Sequence, residues 1–157
     1  MKHVQSPEES LSALGLVLPA LPAPGGNYVA VKRVGAIVYL SGVISSGPNG
    51  VITGTVGLDR TVEEGYAAAR ACTLTHLAVL KAELGSLDGV AEILTVNGYV
   101  NAVAGFPDSP AVINGASDLL VRVYGEAGRH VRAAVGVSAL PKNALVEIQM
   151  TVRVKES

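Results

Sequence analysis

The sequence predicts an α+β domain: one sheet with two main helices packed on one of its faces. Three observations predict it. Short runs of β-formers recur from Tyr28 onward, and two long segments between them carry helical spacing with start and stop signals. The turn signals of the first strand pair read as an antiparallel hairpin, unlike the strict strand–helix alternation of a doubly wound sheet. At 157 residues the chain is long enough to bury a core as one domain. Hydrophobic residues make up 49%, with no Trp and one Phe, so that core is built from Val, Leu, Ile and Ala.

The elements follow in order. In "SPEESLSALG", Ser6 is an N-cap, Pro7 stands at the first helical position, Glu9 completes a capping box and Gly15 is the stop. "LPALPAPGG" is a Pro/Gly linker that suits neither a helix nor a central strand. Residues 1–25 are therefore read as an N-terminal helix and linker, and 26–157 as the main body of a single domain. "NYVAVKRVG" and "AIVYLSG" form a strand pair turned at Gly35, and "SSGPNGVITGTVG" is a Gly-rich turn region. Thr61 opens the longest helix with a second capping box to Glu64. Tyr66, Ala69, Thr73, Leu77, Leu80 and Leu84 form its stripe, and Gly85 ends it. "AEILTVNGYVNAV" is a strand. Ser109-Pro110 opens the next helix, with Val112, Ala116, Leu119 and Val123 on one face and Gly125 at its end. "RAAVGVSAL" and "ALVEIQMTVRV" are the closing strands.

Alternation then sorts the sheet's two faces. Val146, Ile148, Met150, Val152 and Val154 alternate with Glu147, Gln149, Thr151, Arg153 and Lys155, and Leu94, Val96 and Val100 alternate with Thr95, Asn97, Tyr99 and Asn101. The apolar face meets the helices. The other is rich in amides and hydroxyls but poor in charge, which suits an oligomer contact better than a solvated surface.

Composition narrows the function. Twelve basic and 13 acidic residues give a net charge of −1, without the basic excess that phosphate backbones attract, so a small-molecule partner is expected and nucleic acid is not. No apolar run approaches the ~18 residues of a membrane span. "MKHVQSPEES" lacks the apolar stretch of a secretory signal, and a single Cys72 forms no internal disulfide, which together fit the cytoplasm. Cys72 and His76 have the i, i+4 spacing of metal ligands, but no third or fourth ligand stands at matching spacing, so both are read as core residues and no metal is expected. "SSGPNG" lacks the Gly-Lys-Ser/Thr ending of a phosphate loop, and there is no Gly-x-Ser-x-Gly elbow.

The chemistry-bearing residues sit late in the chain. "GRHVRAAVGVSALP" puts Arg129, His130 and Arg132 at the mouth of an apolar strand. The Arg132 fork needs a partner there: a structural carboxylate (Glu126, Glu147 or Asp118), a bound anion, or water. Glu147 stands mid-strand, where a charge is disfavoured unless it pairs with a cation or has work to do on water. The residues by themselves leave these alternatives open.

"NYVAVKRVGAIVYLSG" and "HVRAAVGVSALPKNALVEIQM" resemble the RidA family, also known as the YjgF or L-PSP family. "LSALGLVLPALPAPGGNY" with "VINGASDLLVRVYGEAGRH" is similar to a longer subgroup of it. The resemblance implies a chorismate-mutase-like (RidA-like) α+β fold on a mixed sheet, a homotrimer with three clefts at the subunit contacts, and hydrolysis of 2-imino acids to 2-keto acids and ammonia. It implies that Arg132 holds the substrate carboxylate and Glu147 positions water, with Tyr28, Ser41 and Asn114 as further binding residues. No cofactor is implied, since an imine carbon is already a strong electrophile. The chain departs from the deaminase pattern in reading "GRHV" before the arginine, in Ala133 where serine is usual, and in Gln149 where a second glutamate is common. A carboxylate-binding module of the same fold without turnover is the alternative. Endoribonuclease activity, from the older family name, is a distant third.

Overall fold

The computed structural model describes residues 4–156; the first three residues of "MKHVQSPEES", read above against a secretory signal, lie outside them. The elements are α1 (Pro7–Ala13), β1 (Val31–Val34), β2 (Ile37–Leu40), β3 (Val43–Ile44), β4 (Ser46–Gly47), β5 (Gly50–Val51), α2 (Val62–Leu84), β6 (Val90–Asn101), α3 (Ser109–Tyr124), β7 (Val131–Val137) and β8 (Val146–Val154). Both capping boxes are present, Ser6 with Glu9 and Thr61 with Glu64. Gly85 closes α2 in the left-handed conformation (φ 81°) that a side chain would disfavour. Val43–Ile44, given no assignment from sequence, and the Gly-rich turn region after it hold three two-residue strands, too short for their alternation to register as sequence pattern.

The main sheet runs β1-β2-β8-β6-β7, with β3 continuing the edge that β2 makes on β8. Among the described strands of this sheet only β6 and β7 are parallel, joined over the top by α3, so the sheet is mixed. The last strand lies near the centre, between β2 and β6. Helix α2 lies over β8, and α3 over β6 and β7. The fold is thus α+β with two main helices on one face.

Two close approaches set the height of α3 above the sheet. A Cβ on Gly98, mid-β6, would lie 2.5 Å from Ile113 Cδ1, so the bare strand admits the isoleucine. A Cβ on Gly115 would lie 2.0 Å from the Tyr66 carbonyl oxygen, so α3 crosses α2 with backbone nearly touching backbone. The α3 stripe Val112, Ala116, Leu119 and Val123 is buried as expected. On α2 the buried face is wider than the expected stripe, because the helix is covered by both the sheet and α3. Ala69, Thr73, Leu77 and Leu80 are joined by Ala68, Cys72, His76 and Val79, whereas Tyr66 and Leu84 are partly exposed. Leu11 of α1 belongs to the same core, with Leu14, Leu16 and Leu18 packed against it. Glu8 ties α1 down by accepting hydrogen bonds from the Leu87 N–H (2.7 Å) and the Ser86 hydroxyl (3.2 Å).

Two assignments on β6 are corrected. A register shift between Ile93 and Thr95 makes Leu94 the extra residue of a bulge, so Ile93 takes the core position and Leu94 is only half-buried. Asn101, placed on the open polar face by alternation, is 2% exposed. Its amide nitrogen donates to the Asn143 side chain (3.3 Å) and the Ala144 carbonyl (3.1 Å), closing the strand end. No helix among the described residues is long and apolar enough to cross a membrane.

Candidate functional site

Arg132 is the second residue of β7, in register with Val96 and, beyond it, Met150. Register partners share a face, so Arg132 points toward the helix layer at the sheet's edge. There it meets α3. Its Nη1 donates to Asn114 Oδ1 (2.8 Å) and Ser117 Oγ (3.1 Å), and Nη2 makes a longer bond to the Pro110 carbonyl (3.4 Å). None of these partners is charged; the structural carboxylates entertained above, Glu126, Glu147 and Asp118, do not pair with it. Asp118 instead accepts from the Tyr66 hydroxyl (2.7 Å). A guanidinium has five N–H donors. Three are used on α3, leaving Nε–H and one Nη2–H at an exposed position.

Asn114 and Arg132 are therefore brought together, 18 residues apart in sequence. Sequence reasoning did not assign Ser117, which also touches the guanidinium. Its signal was the Asn114–Ser117 spacing of three, which puts the two polar groups on one face of the helix.

Glu147 lies elsewhere. In register with Tyr99 and, through it, Val135, it points to the sheet's open face, opposite Arg132. Its carboxyl is half-buried with no hydrogen bond or ion pair to the described residues, and burial holds its pKa above the ordinary carboxylate value. It sits where the edge of the sheet is interrupted. Strand β2 pairs with β8 up to Tyr39 and Thr151, β3 resumes at Val43 and Ile148, and Ser41-Gly42 bridge the gap. A Cβ on Gly42 would come 3.0 Å from Glu147 Oε2. Gln149 fills the same interruption, donating to the Leu40 carbonyl (3.0 Å) and accepting from Asn97 Nδ2 (3.0 Å).

Ser41, next to Gly42, lies on the Glu147 side of the strand break, and Tyr28 precedes the segment bonded to Ser41. The Ser41 hydroxyl donates to the Val29 carbonyl (2.6 Å), and its N–H bonds the Ala30 carbonyl, which fixes the segment after Tyr28 against the strand break. The exposed Tyr28 hydroxyl accepts from the Gly25 N–H (3.1 Å). The five predicted residues thus fall into two groups, Arg132 with Asn114 at one edge of the sheet, and Glu147 at the strand break spanned by Ser41-Gly42, to which the segment after Tyr28 is bonded.

Cys72 and His76 are buried in the core. His76 Nε2 lies 2.6 Å from the Ile148 carbonyl and so donates to it, while burial lowers the imidazole pKa to about 4. Burial, with the Glu147 charge adding to it, pushes the Cys72 thiol well up. Among the described residues no group of three or more His, Cys, Asp or Glu side chains could hold a metal.

The mixed sheet, its one-sided helix layer and the arginine seated on α3 define a chorismate-mutase-like α+β protein. A family described as "YjgF/chorismate_mutase-like, putative endoribonuclease" matches residues 8–153. The chain belongs to this YjgF/RidA family. It is 43% identical over 145 residues to Protein TCP17 of Trypanosoma cruzi, covering 91% of both chains. A crystal structure of a "putative endoribonuclease" from Shewanella oneidensis MR-1 is 36% identical with a TM-score of 0.91, over 95% of this chain and 99% of the other. RidA from the Antarctic bacterium Psychrobacter sp. PAMC 21119 is a looser match, 28% identical with a TM-score of 0.58 over 85% of this chain and 94% of its own.

Proposed function

We propose that this protein binds small 2-imino acids at clefts between copies of itself and hydrolyses them to 2-keto acids and ammonium, working as a homotrimer. The observation that carries the reading is the state of Arg132: a guanidinium oriented by neutral partners, with two donors left for a ligand. Two parallel charge-assisted bonds from such a fork suit a carboxylate. Since Arg132 and Glu147 lie on opposite faces of one sheet, a ligand that meets both must lie between two copies. The open sheet face supplies the contact. It carries Thr95, Asn97, Gln149 and Thr151 at its centre and the exposed Val131 and Val135 along β7.

The chemistry asks little of the protein. Water adds to the iminium carbon, forming a C–O bond while the C=N π electrons move to nitrogen. A proton then passes from the added oxygen to nitrogen, the C–N bond breaks as the oxygen's electrons close the C=O bond, the remaining hydroxyl proton joins the departing ammonia, and a keto acid and ammonium leave. Glu147, with its raised proton affinity, orients the water and carries that proton. Arg132 holds the carboxylate, and Ser41 and Tyr28 border the water's side of the cleft. A coupled assay tests this: 2-aminoacrylate is generated in situ and keto-acid release is followed with and without the protein. Acceleration supports the reading; binding of keto acid with no acceleration selects the non-catalytic carboxylate-binding alternative, which Ala133 and Gln149 favour as departures from the deaminase pattern.

A further inference from the structure

We infer that His130, acting through Ser117, is a positioning residue that holds the Arg132 guanidinium in its binding orientation. The inference rests on the reading of Arg132 as the carboxylate-holding group. The four groups form a directed chain. His130 Nδ1 lies 2.7 Å from the Gly128 carbonyl, which can only accept, so Nδ1 carries the proton. Burial, and then the Arg132 charge, lower the imidazole pKa, so at neutral pH the ring is neutral and Nε2 presents a lone pair. Ser117 Oγ, 2.9 Å from Nε2, must therefore donate to it. With its hydrogen committed, the hydroxyl turns a lone pair to Arg132 Nη1, 3.1 Å away. The chain is anchored to α3 at two of its members. Ser117 belongs to that helix, and a Cβ on Gly128 would come 2.1 Å from the Leu120 carbonyl oxygen, so the turn carrying the Gly128 acceptor rests directly on it.

The local sequence explains the arrangement. His130 and Arg132 are two residues apart on extended chain, so both side chains face α3. A serine inside a helix ordinarily turns its hydroxyl back to the carbonyl four residues earlier. His130 offers a competing acceptor on the other side. Without it the Ser117 hydroxyl is free to rotate, Nη1 loses a fixed acceptor, and the remaining donors lose their aim. Arginine held at one end only binds a carboxylate less well, because orientation must then be established on binding.

The test uses the full chain and pyruvate as probe, with affinity measured by calorimetry and melting temperature as the folding control. His130→Ala and Ser117→Ala are each expected to weaken binding by roughly 3- to 10-fold, the scale of one hydrogen bond. Their double variant should be no weaker than either alone. His130→Gln, whose amide oxygen can accept from Ser117, should restore most of the loss, and His130→Ala should add nothing to Arg132→Lys. Additive losses, or a Gln variant no better than Ala with folding intact, overturn the inference. If the parent binds no pyruvate, the anion reading of Arg132 fails, and NMR of the same variants still decides the positioning role. Nitrogen spectra should show Nε2 of His130 unprotonated, and slow guanidinium rotation giving separate Arg132 Nη signals in parent and His130→Gln that merge in His130→Ala. Identical spectra in all three overturn it.

Discussion

Arg132 and Glu147 solve opposite problems of desolvation. Arg132 keeps its charge half-satisfied by neutral acceptors, whereas Glu147 is half-buried with none among the described residues. For Arg132→Lys the charge is kept and the fork is lost; binding of 2-keto acids should fall roughly ten-fold or more, read by calorimetry. Glu147→Gln should leave keto-acid binding in place and lower imine hydrolysis by ~10²-fold or more in the coupled assay. The same variant carries a pH signature. Because burial raises the folded pKa of Glu147, the charged carboxylate opposes folding, a cost that sets in as pH rises through the unfolded value near 4.5 and is complete above the folded value. Glu147→Gln should therefore melt higher than the parent at pH 7, and the two should converge below pH ~4; an equal or lower melting point at pH 7 would show the carboxylate to be paired. Residue types were legible in the sequence: a fork at a strand mouth and a charge mid-strand. Ser117 and the role of His130 were not, because their importance lies in hydrogen-bond direction, which only the packed helix supplies.

Among the elements, α3 decides the site. It crosses α2 at Gly115 and beds on the sheet at Gly98, and from that fixed height Asn114 and Ser117 reach Arg132. Gly115→Ala would force the Tyr66 carbonyl and α3 apart. A loss of about 2 kcal/mol or more is expected, lowering the melting temperature by about 5 °C or more, together with weaker keto-acid binding as α3 lifts from Arg132. Unchanged melting would mean that the helices do not cross in contact. The long elements were readable because caps and periodicity are local. Thr61 and Glu64, or Ser109-Pro110 and Gly125, lie within one or two turns of what they terminate. The bulge at Leu94 and the two-residue strands β3 to β5 were not, since each is set by what it pairs with.

The sheet order of the whole molecule places residues from the two ends of the body side by side, Tyr39 against Thr151 and Val43 against Ile148. Local pattern carries no information on such pairings. For the same reason alternation assigned each strand's residues to two faces but could not say that Arg132 and Glu147 take different ones. The open face leaves Val131 and Val135 exposed beside a hydrogen-bonding centre, and light scattering at micromolar concentration should report a trimer. Val135→Lys, on that face and clear of the core, should give a monomer with unchanged circular dichroism; a persistent trimer would place the contact elsewhere.

On the proposed reading, Arg132 and Glu147 on opposite faces of one sheet make the working cleft a property of neighbours, which has a genetic reading. An Arg132→Lys chain still owns a good glutamate, and a Glu147→Gln chain a good arginine. Each is expected to be impaired with copies of itself. Unfolded together in equal amounts and allowed to reassemble, they should form clefts in which the arginine of one and the glutamate of the other meet. Random assortment around a closed ring makes about a quarter of the clefts whole. Two impaired proteins should thus reach about a quarter of the parent's activity, read well below saturation, by mixing alone, and a mixture no more active than its components would place both groups in separate work.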